Sequence, residues 1–308
     1  MNSQSNQSLE VNEADADGSR HTHDTAPTRF AEADGIRYAY RRFGNPIGTP
    51  IVLLQHFMGN LDNYDPAITD ALAMGREVIL TDNAGVGLST GAAPEAVAGM
   101  ARDAASLIDA MGLELVDLFG HSMGGYVAQQ IAVDRPDLVR RLILVGTGPR
   151  GGDGMGELAS DVAPLFGKVY DPQDLMWLPI MFSPSKASQA AGRHFLARIR
   201  ARAGDRDVPV SEATVAAHSA AAREWGGATP DGFEYLKGIS NPALVVNGSD
   251  DIVVPTINSY ILQQNLPTAE LILFPDSNHG SHFQFTELFN RYLADFVDLR
   301  PELPILVG

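Results

Sequence analysis

Short, mostly apolar runs recur along the chain and alternate with longer segments of helical composition. Ile51 to Leu54, Glu77 to Thr81, Leu115 to Phe119, Leu142 to Val145, Ala243 to Val246 and Leu271 to Phe274 each hold four or five residues. Runs of this length and composition read as strands buried on both faces. Pro66 to Met74, Pro94 to Met111, Tyr126 to Asp134, Pro255 to Leu266 and Ser281 to Val297 read as the helices between and after them. Pro94 and Pro255 suit a first helical turn. Ahead of this series, Thr28 to Phe43 reads as a hairpin about Asp34-Gly35, a dipeptide that accepts the positive φ angles of a tight turn. Strands alternating with helices predict an α/β fold with a mostly parallel central sheet covered on both faces.

The alternation stops between Gly146 and about Gly238, where no strand pattern is visible. Asp171-Pro172 reads as a helix start with Asp171 as the cap, and Ser185 to Ala203 and Ser211 to Trp225 have helical composition. The expected organisation is a polar, disordered tail over 1–28, a core over 29–146 and 237–300, a helical cap inserted over 147–236, and a short tail over 301–308.

Composition narrows the partners. The 308-residue chain carries a net charge of −16 and no cysteine. An acidic surface argues against nucleic acid or an anionic membrane as partner. The lack of cysteine removes disulfides, thiolate metal sites and a cysteine nucleophile. No signal-peptide pattern opens the sequence and no apolar run approaches a membrane span, so a cytoplasmic location is the expectation. A homodimer stays open.

One stretch carries the chemistry. The Leu115–Phe119 run leads into Gly120-His121-Ser122-Met123-Gly124-Gly125, and a helical segment follows at once. A serine on a sharp strand-to-helix turn fits the pattern G-x-S-x-G. Glycines flank it because the strand and helix backbones approach too closely for side chains. A serine hydroxyl is a weak nucleophile and needs a base, which needs an orienting acid. Asn247-Gly248-Ser249-Asp250-Asp251 follows a strand, and spacing favours Asp251 over Asp250 as the acid. Pro275-Asp276-Ser277-Asn278-His279-Gly280 follows the last strand, and His279 is favoured over His282, which falls in the next helix. His121 is expected to turn away from Ser122 into the core. His194 and His218 read as surface or packing residues. The developing oxyanion needs two donors: the Met123 backbone N–H, and one from the loop Gln55-His56-Phe57-Met58. No metal-ligand spacing is present and no cofactor is expected.

Taken with the turn Asp82-x-x-Gly85-x-Gly87-x-Ser89, these motifs fall in an order that resembles the α/β-hydrolase-fold superfamily, over about Arg29 to Val297. The resemblance implies a serine hydrolase with an inserted cap, with Ser122 as nucleophile, His279 as base, Asp251 as its orienter and Phe57 as the second oxyanion donor. Many relatives carry His-Gly where this chain has Gln55-His56. The His56 side chain therefore either contacts substrate or folds away as a structural element. Trp177, Met176, Met181 and Phe182 form an apolar cluster. Trp177 and Met181 are the residues expected to reach the pocket. The expected reaction is cleavage of a small, fairly apolar carboxylic ester, thioester or lactone through an acyl-enzyme. The same frame also resembles C–C bond hydrolases, cofactor-free perhydrolases and dioxygenases, and hydrolase-like receptors with little turnover.

Overall fold

The computed structural model describes residues 21–299. Eight strands form one sheet: β1 (Arg29–Ala33), β2 (Ile36–Gly44), β3 (Ile51–Leu54), β4 (Glu77–Thr81), β5 (Val116–His121), β6 (Val139–Val145), β7 (Ala243–Gly248) and β8 (Ala269–Phe274). Their order in space is β1-β2-β4-β3-β5-β6-β7-β8. The β1–β2 and β2–β4 pairs are antiparallel and the rest parallel. Asp34 and Gly35 close the β1–β2 hairpin with φ of 50° and 79°, the left-handed conformation a two-residue turn needs.

The ten α-helices among the described residues are α1 (Pro66–Ala73), α2 (Val97–Ala110), α3 (Met123–Asp134), α4 (Ala163–Gly167), α5 (Trp177–Met181), α6 (Lys186–Ile199), α7 (Glu212–Gly226), α8 (Ile257–Asn265), α9 (Ser281–Gln284) and α10 (Thr286–Ala294). Strand side chains alternate between two cores. Val52, Leu54, Leu118, Leu142 and Leu144 pack under α2, α3 and α8, whereas Ile51, Leu53, Phe119, Ile143 and Val145 face α1 and α10. Burial of both faces is why these strands read as continuous apolar runs. Four α-helices, α4 to α7, lie in the chain between β6 and β7. Ser185 and Ser211 cap α6 and α7 by accepting the Ser188 and Thr214 N–H groups.

Several local expectations are corrected. Residues 21–28 are not a loose tail: His23 is buried against Thr69, and Arg202 donates to the carbonyls of His23, Asp24 and Ala26. Residues 1–20 and 301–308 lie outside the described residues. Pro94 does not open α2. It packs across the first turn, 2.7 Å from where a Cβ on Gly99 would stand, and the helix begins at Val97. Asp171 does not cap: a short 3-10 turn, Gln173–Met176, follows Pro172 with no side-chain cap. The final helix breaks at Phe285, which leaves helical dihedrals and stacks its ring on Phe274 at 4.9 Å.

Near the start of β5, Asp117 is fully buried and paired with Arg76 at 3.0 Å and Arg140 at 2.6 Å. Burial raises its carboxyl pKa, and the two guanidiniums oppose that rise. Removing one member of a buried charge set leaves the others uncompensated. Asp117→Asn is therefore expected to cost about 3–5 kcal/mol in urea unfolding. A loss below about 1 kcal/mol would show that the set contributes little.

Candidate active site

The site collects at the C-terminal ends of adjacent strands. Ser122 follows β5 directly and stands at the N-cap of α3, with φ 55° and ψ −118°. A non-glycine residue there is strained by about 1–3 kcal/mol and must be held by its surroundings. Three hydrogen bonds hold it: Ser122 N–H donates to the Val145 carbonyl at 2.8 Å, while its own carbonyl accepts from Gly125 N–H at 2.9 Å and Thr147 Oγ1 at 2.8 Å. A Cβ on Gly120 would lie 2.4 Å from the Gly124 carbonyl oxygen, and one on Gly124 would lie 2.0 Å from the Leu54 oxygen. Side chains at either place would force the elbow apart.

Asp251 and His279 meet across the ends of β7 and β8. Asp251 Oδ2 lies 2.9 Å from His279 Nδ1, and Oδ1 accepts the N–H groups of Val253 and Val254 at 2.8 and 3.0 Å. Both side chains are buried. Asp250, the competing acid, is exposed and takes a hydrogen bond from Ser249. Asn278 couples the two loops: its Oδ1 accepts from Ile252 N–H at 2.8 Å and His279 N–H at 2.9 Å.

Across Ser122 lies the loop after β3. His56 N–H donates to Gln55 Oε1 at 2.9 Å, and Met58 N–H donates to His218 Nδ1 at 3.4 Å. Phe57 N–H between them meets no acceptor among the described residues. Met123 is the first residue of α3, where N–H groups lack intrahelical acceptors. His56 is buried, with its Nδ1 against the Phe57 carbonyl and its ring edge-on to His121 and Trp177 at 5.2 and 4.7 Å. Trp177 and Met181, both on α5, are buried as well, and Met181 accepts Gly280 N–H at 2.8 Å. The α5 turn thus touches both the His56 loop and the His279 loop.

The model of the alpha/beta hydrolase fold family matches residues 49–286. The chain belongs to that family. An alpha/beta hydrolase fold protein from Chitinophaga pinensis is 40% identical, covering 91% of this chain and 100% of its own, with a TM-score of 0.86. Est816, described as an N-acyl homoserine lactone degrading enzyme, is 26% identical over 87% of this chain and 100% of its own, at TM-score 0.68. A 2-hydroxy-6-oxo-6-phenylhexa-2,4-dienoate hydrolase from Burkholderia cepacia is 28% identical over 78% of this chain and 83% of its own. Hydrolase chemistry is supported by this kinship.

Of the two placements expected for His218, surface or packing, the structure shows packing. It is fully buried on α7, its ring 6.0 Å from Phe57. One histidine inside a helical stretch carries no signal of that placement; only the docking of α7 on the β3 loop reveals it. His121 turns into the core and contacts His282 and His279 at 4.5 and 5.1 Å.

His23, His56, His121, His218 and His282 are held neutral. Burial pushes His56 and His218 down to about 4 and His23 to about 3. Burial, with the neighbouring imidazoles, holds His121 and His282 well below the ordinary range. Their unfolded forms bind protons near pH 6.5 and the folded forms do not. Their stabilisation is therefore present above about pH 6.5 and lost as pH falls toward the folded values. Asp70, Asp82, Asp103 and Asp117 act oppositely, because burial raises their carboxyls, Asp82 further so through Asp207. The five lowered histidines outnumber these four carboxyls. Unfolding free energy is expected to fall steeply from pH 7 to pH 5, by about 1.4 kcal/mol per pH unit for each histidine titrating. A flat profile from pH 7 to pH 5 in urea titrations would contradict this. His56→Ala, which removes a packed ring and its hydrogen bond, should lower stability by about 1–3 kcal/mol. An unchanged melting temperature with reduced turnover would instead mark His56 as a substrate contact.

Proposed function

We propose that this protein is a serine hydrolase that cleaves a small, fairly apolar carboxylic ester, thioester or lactone through an acyl-enzyme. The observation that carries the reading is the 2.9 Å contact of Asp251 with His279, whose ring packs 5.1 Å from His121, the residue before a serine held at φ 55°. In this scheme Asp251 accepts the Nδ1–H of His279 and so fixes the tautomer whose Nε2 can take a proton. Ser122 Oγ attacks the carbonyl as its proton passes to His279. The Met123 and Phe57 N–H groups take the developing negative charge. His279 then protonates the leaving group. Water, deprotonated by His279, releases the acid and restores Ser122.

The helices between β6 and β7 serve as a cap in this reading, with Trp177 and Met181 on the apolar side of the pocket. Neutral and apolar groups around the loop, Phe57, Phe166 and His218, favour an uncharged acyl group. The likeness to a lactone-degrading enzyme supports an ester-type bond. The dienoate-hydrolase relative supports a second reading, hydrolytic C–C cleavage on the same residues.

A panel of p-nitrophenyl esters, acyl lactones and vinylogous diketone acids, run beside a fluorophosphonate probe, tests both. Ser122 should label covalently, and Ser122→Ala should lower turnover by about 10⁴–10⁶. Turnover confined to the diketone acids would move the assignment to C–C cleavage. Labelling without turnover on any substrate would indicate a ligand receptor.

A further inference from the structure

The loop that carries Phe57 is gripped from outside by one stretch of the inter-strand segment, residues 207–218. Met58 N–H donates to His218 Nδ1 at 3.4 Å, and Asn60 Nδ2 donates to the Val208 carbonyl at 3.0 Å. Leu61 N–H is shared between Asp82 Oδ1 at 2.9 Å and Asp207 Oδ2 at 3.3 Å. Asp207 N–H returns a hydrogen bond to Asp62 at 2.9 Å. Thr214, in the first turn of α7, donates to the Gly85 carbonyl at 2.6 Å. Within this grip one residue is under strain: Met58 holds φ at 62°, a conformation uncommon for a long side chain and sustained only by its surroundings.

His218 is the contact at that residue. Because Nδ1 accepts the Met58 N–H, the ring proton resides on Nε2. Burial pushes the imidazole down to about 4, so the accepting lone pair persists at neutral pH. The neighbouring His56 N–H is already committed to Gln55 Oε1. With both flanking N–H groups fixed, the orientation of the Phe57 peptide is set from both sides.

We propose that His218 is a positioning residue for the oxyanion donor: by accepting the Met58 N–H it holds Met58 in the left-handed conformation and keeps the Phe57 N–H turned toward the carbonyl above Ser122. The role rests on the serine-hydrolase reading. It makes the oxyanion hole a joint product of the β3 loop and α7, completed only when α7 is seated.

The test uses three substitutions in the full chain, assayed with p-nitrophenyl acetate and with a fluorophosphonate probe of Ser122. His218→Asn places an oxygen near the position of Nδ1. His218→Gln places its polar group nearer Nε2. His218→Leu keeps bulk and removes the acceptor. Removing an oxyanion donor costs about 10²–10³ in kcat, and misaligning one should cost at least ~10-fold. We expect H218L and H218Q to lose at least ~10-fold in kcat with KM within ~2-fold, and H218N to recover to within ~3-fold of the wild type. If H218L does not fold, the order of H218N over H218Q still decides. Equal kcat in H218N and H218Q, or losses that follow melting temperature alone, would overturn the role while leaving the hydrolase assignment intact. A wild-type protein inert to both ester and probe would remove the assignment and this role with it.

Discussion

The close approach of α3 to the end of β3 is the constraint on which the rest of the site depends. A Cβ on Gly124 would stand 2.0 Å from the Leu54 oxygen, so only glycine permits the contact. Because β3 and β5 are neighbours in the sheet, with Leu54 opposite Gly120, this contact sets the serine turn beside the β3 loop. The strain at Ser122 is tolerated because the hydrogen bonds to Val145, Gly125 and Thr147 over-determine its backbone. The first N–H of α3 then points out of a helix start, where backbone dipoles favour negative charge.

Around this fixed centre the other groups arrive on loops, each tied by a specific polar contact. Asn278 joins the Asp251 and His279 loops through one carbonyl oxygen. The α5 turn rests on His56 through Trp177 and on Gly280 through Met181. The 207–218 stretch rests on Met58, Asn60 and Leu61. The segment between β6 and β7 is thus part of the site's framework. Its seating and the geometry of the β3 loop are linked through hydrogen bonds that a shifted helix would break.

The interior near this framework is unusually rich in imidazole. The His56 and His282 rings both pack on His121, at 5.2 and 4.5 Å. A neutral imidazole packs like a small aromatic ring. Charging one here would leave it desolvated beside other histidines. Neutrality at working pH is thereby built into the packing, at the cost of acid sensitivity.

The strands β5, β7 and β8 that lead into Ser122, Asp251 and His279, in that order, were legible in the residues alone. The runs Ile51–Leu54 and Glu77–Thr81 coincide with β3 and β4 because both faces are buried and the pattern is unbroken. The spacing after β7 singled out Asp251 over Asp250, and the structure brings Asp251, not Asp250, to His279. Boundaries set by long-range packing were not legible. Val97 begins α2 because Pro94 packs on its outside, and Phe285 breaks the last helix to reach Phe274. Residues 21–28 are ordered by Arg202, distant in sequence. His218 gave no local sign because its meaning comes from Met58, 160 positions away. Sequence patterning records which face of an element is buried and where the chain must turn. Which distant atoms then meet is decided by how the helices between β6 and β7 settle on the sheet's loops, and only the tertiary structure carries that.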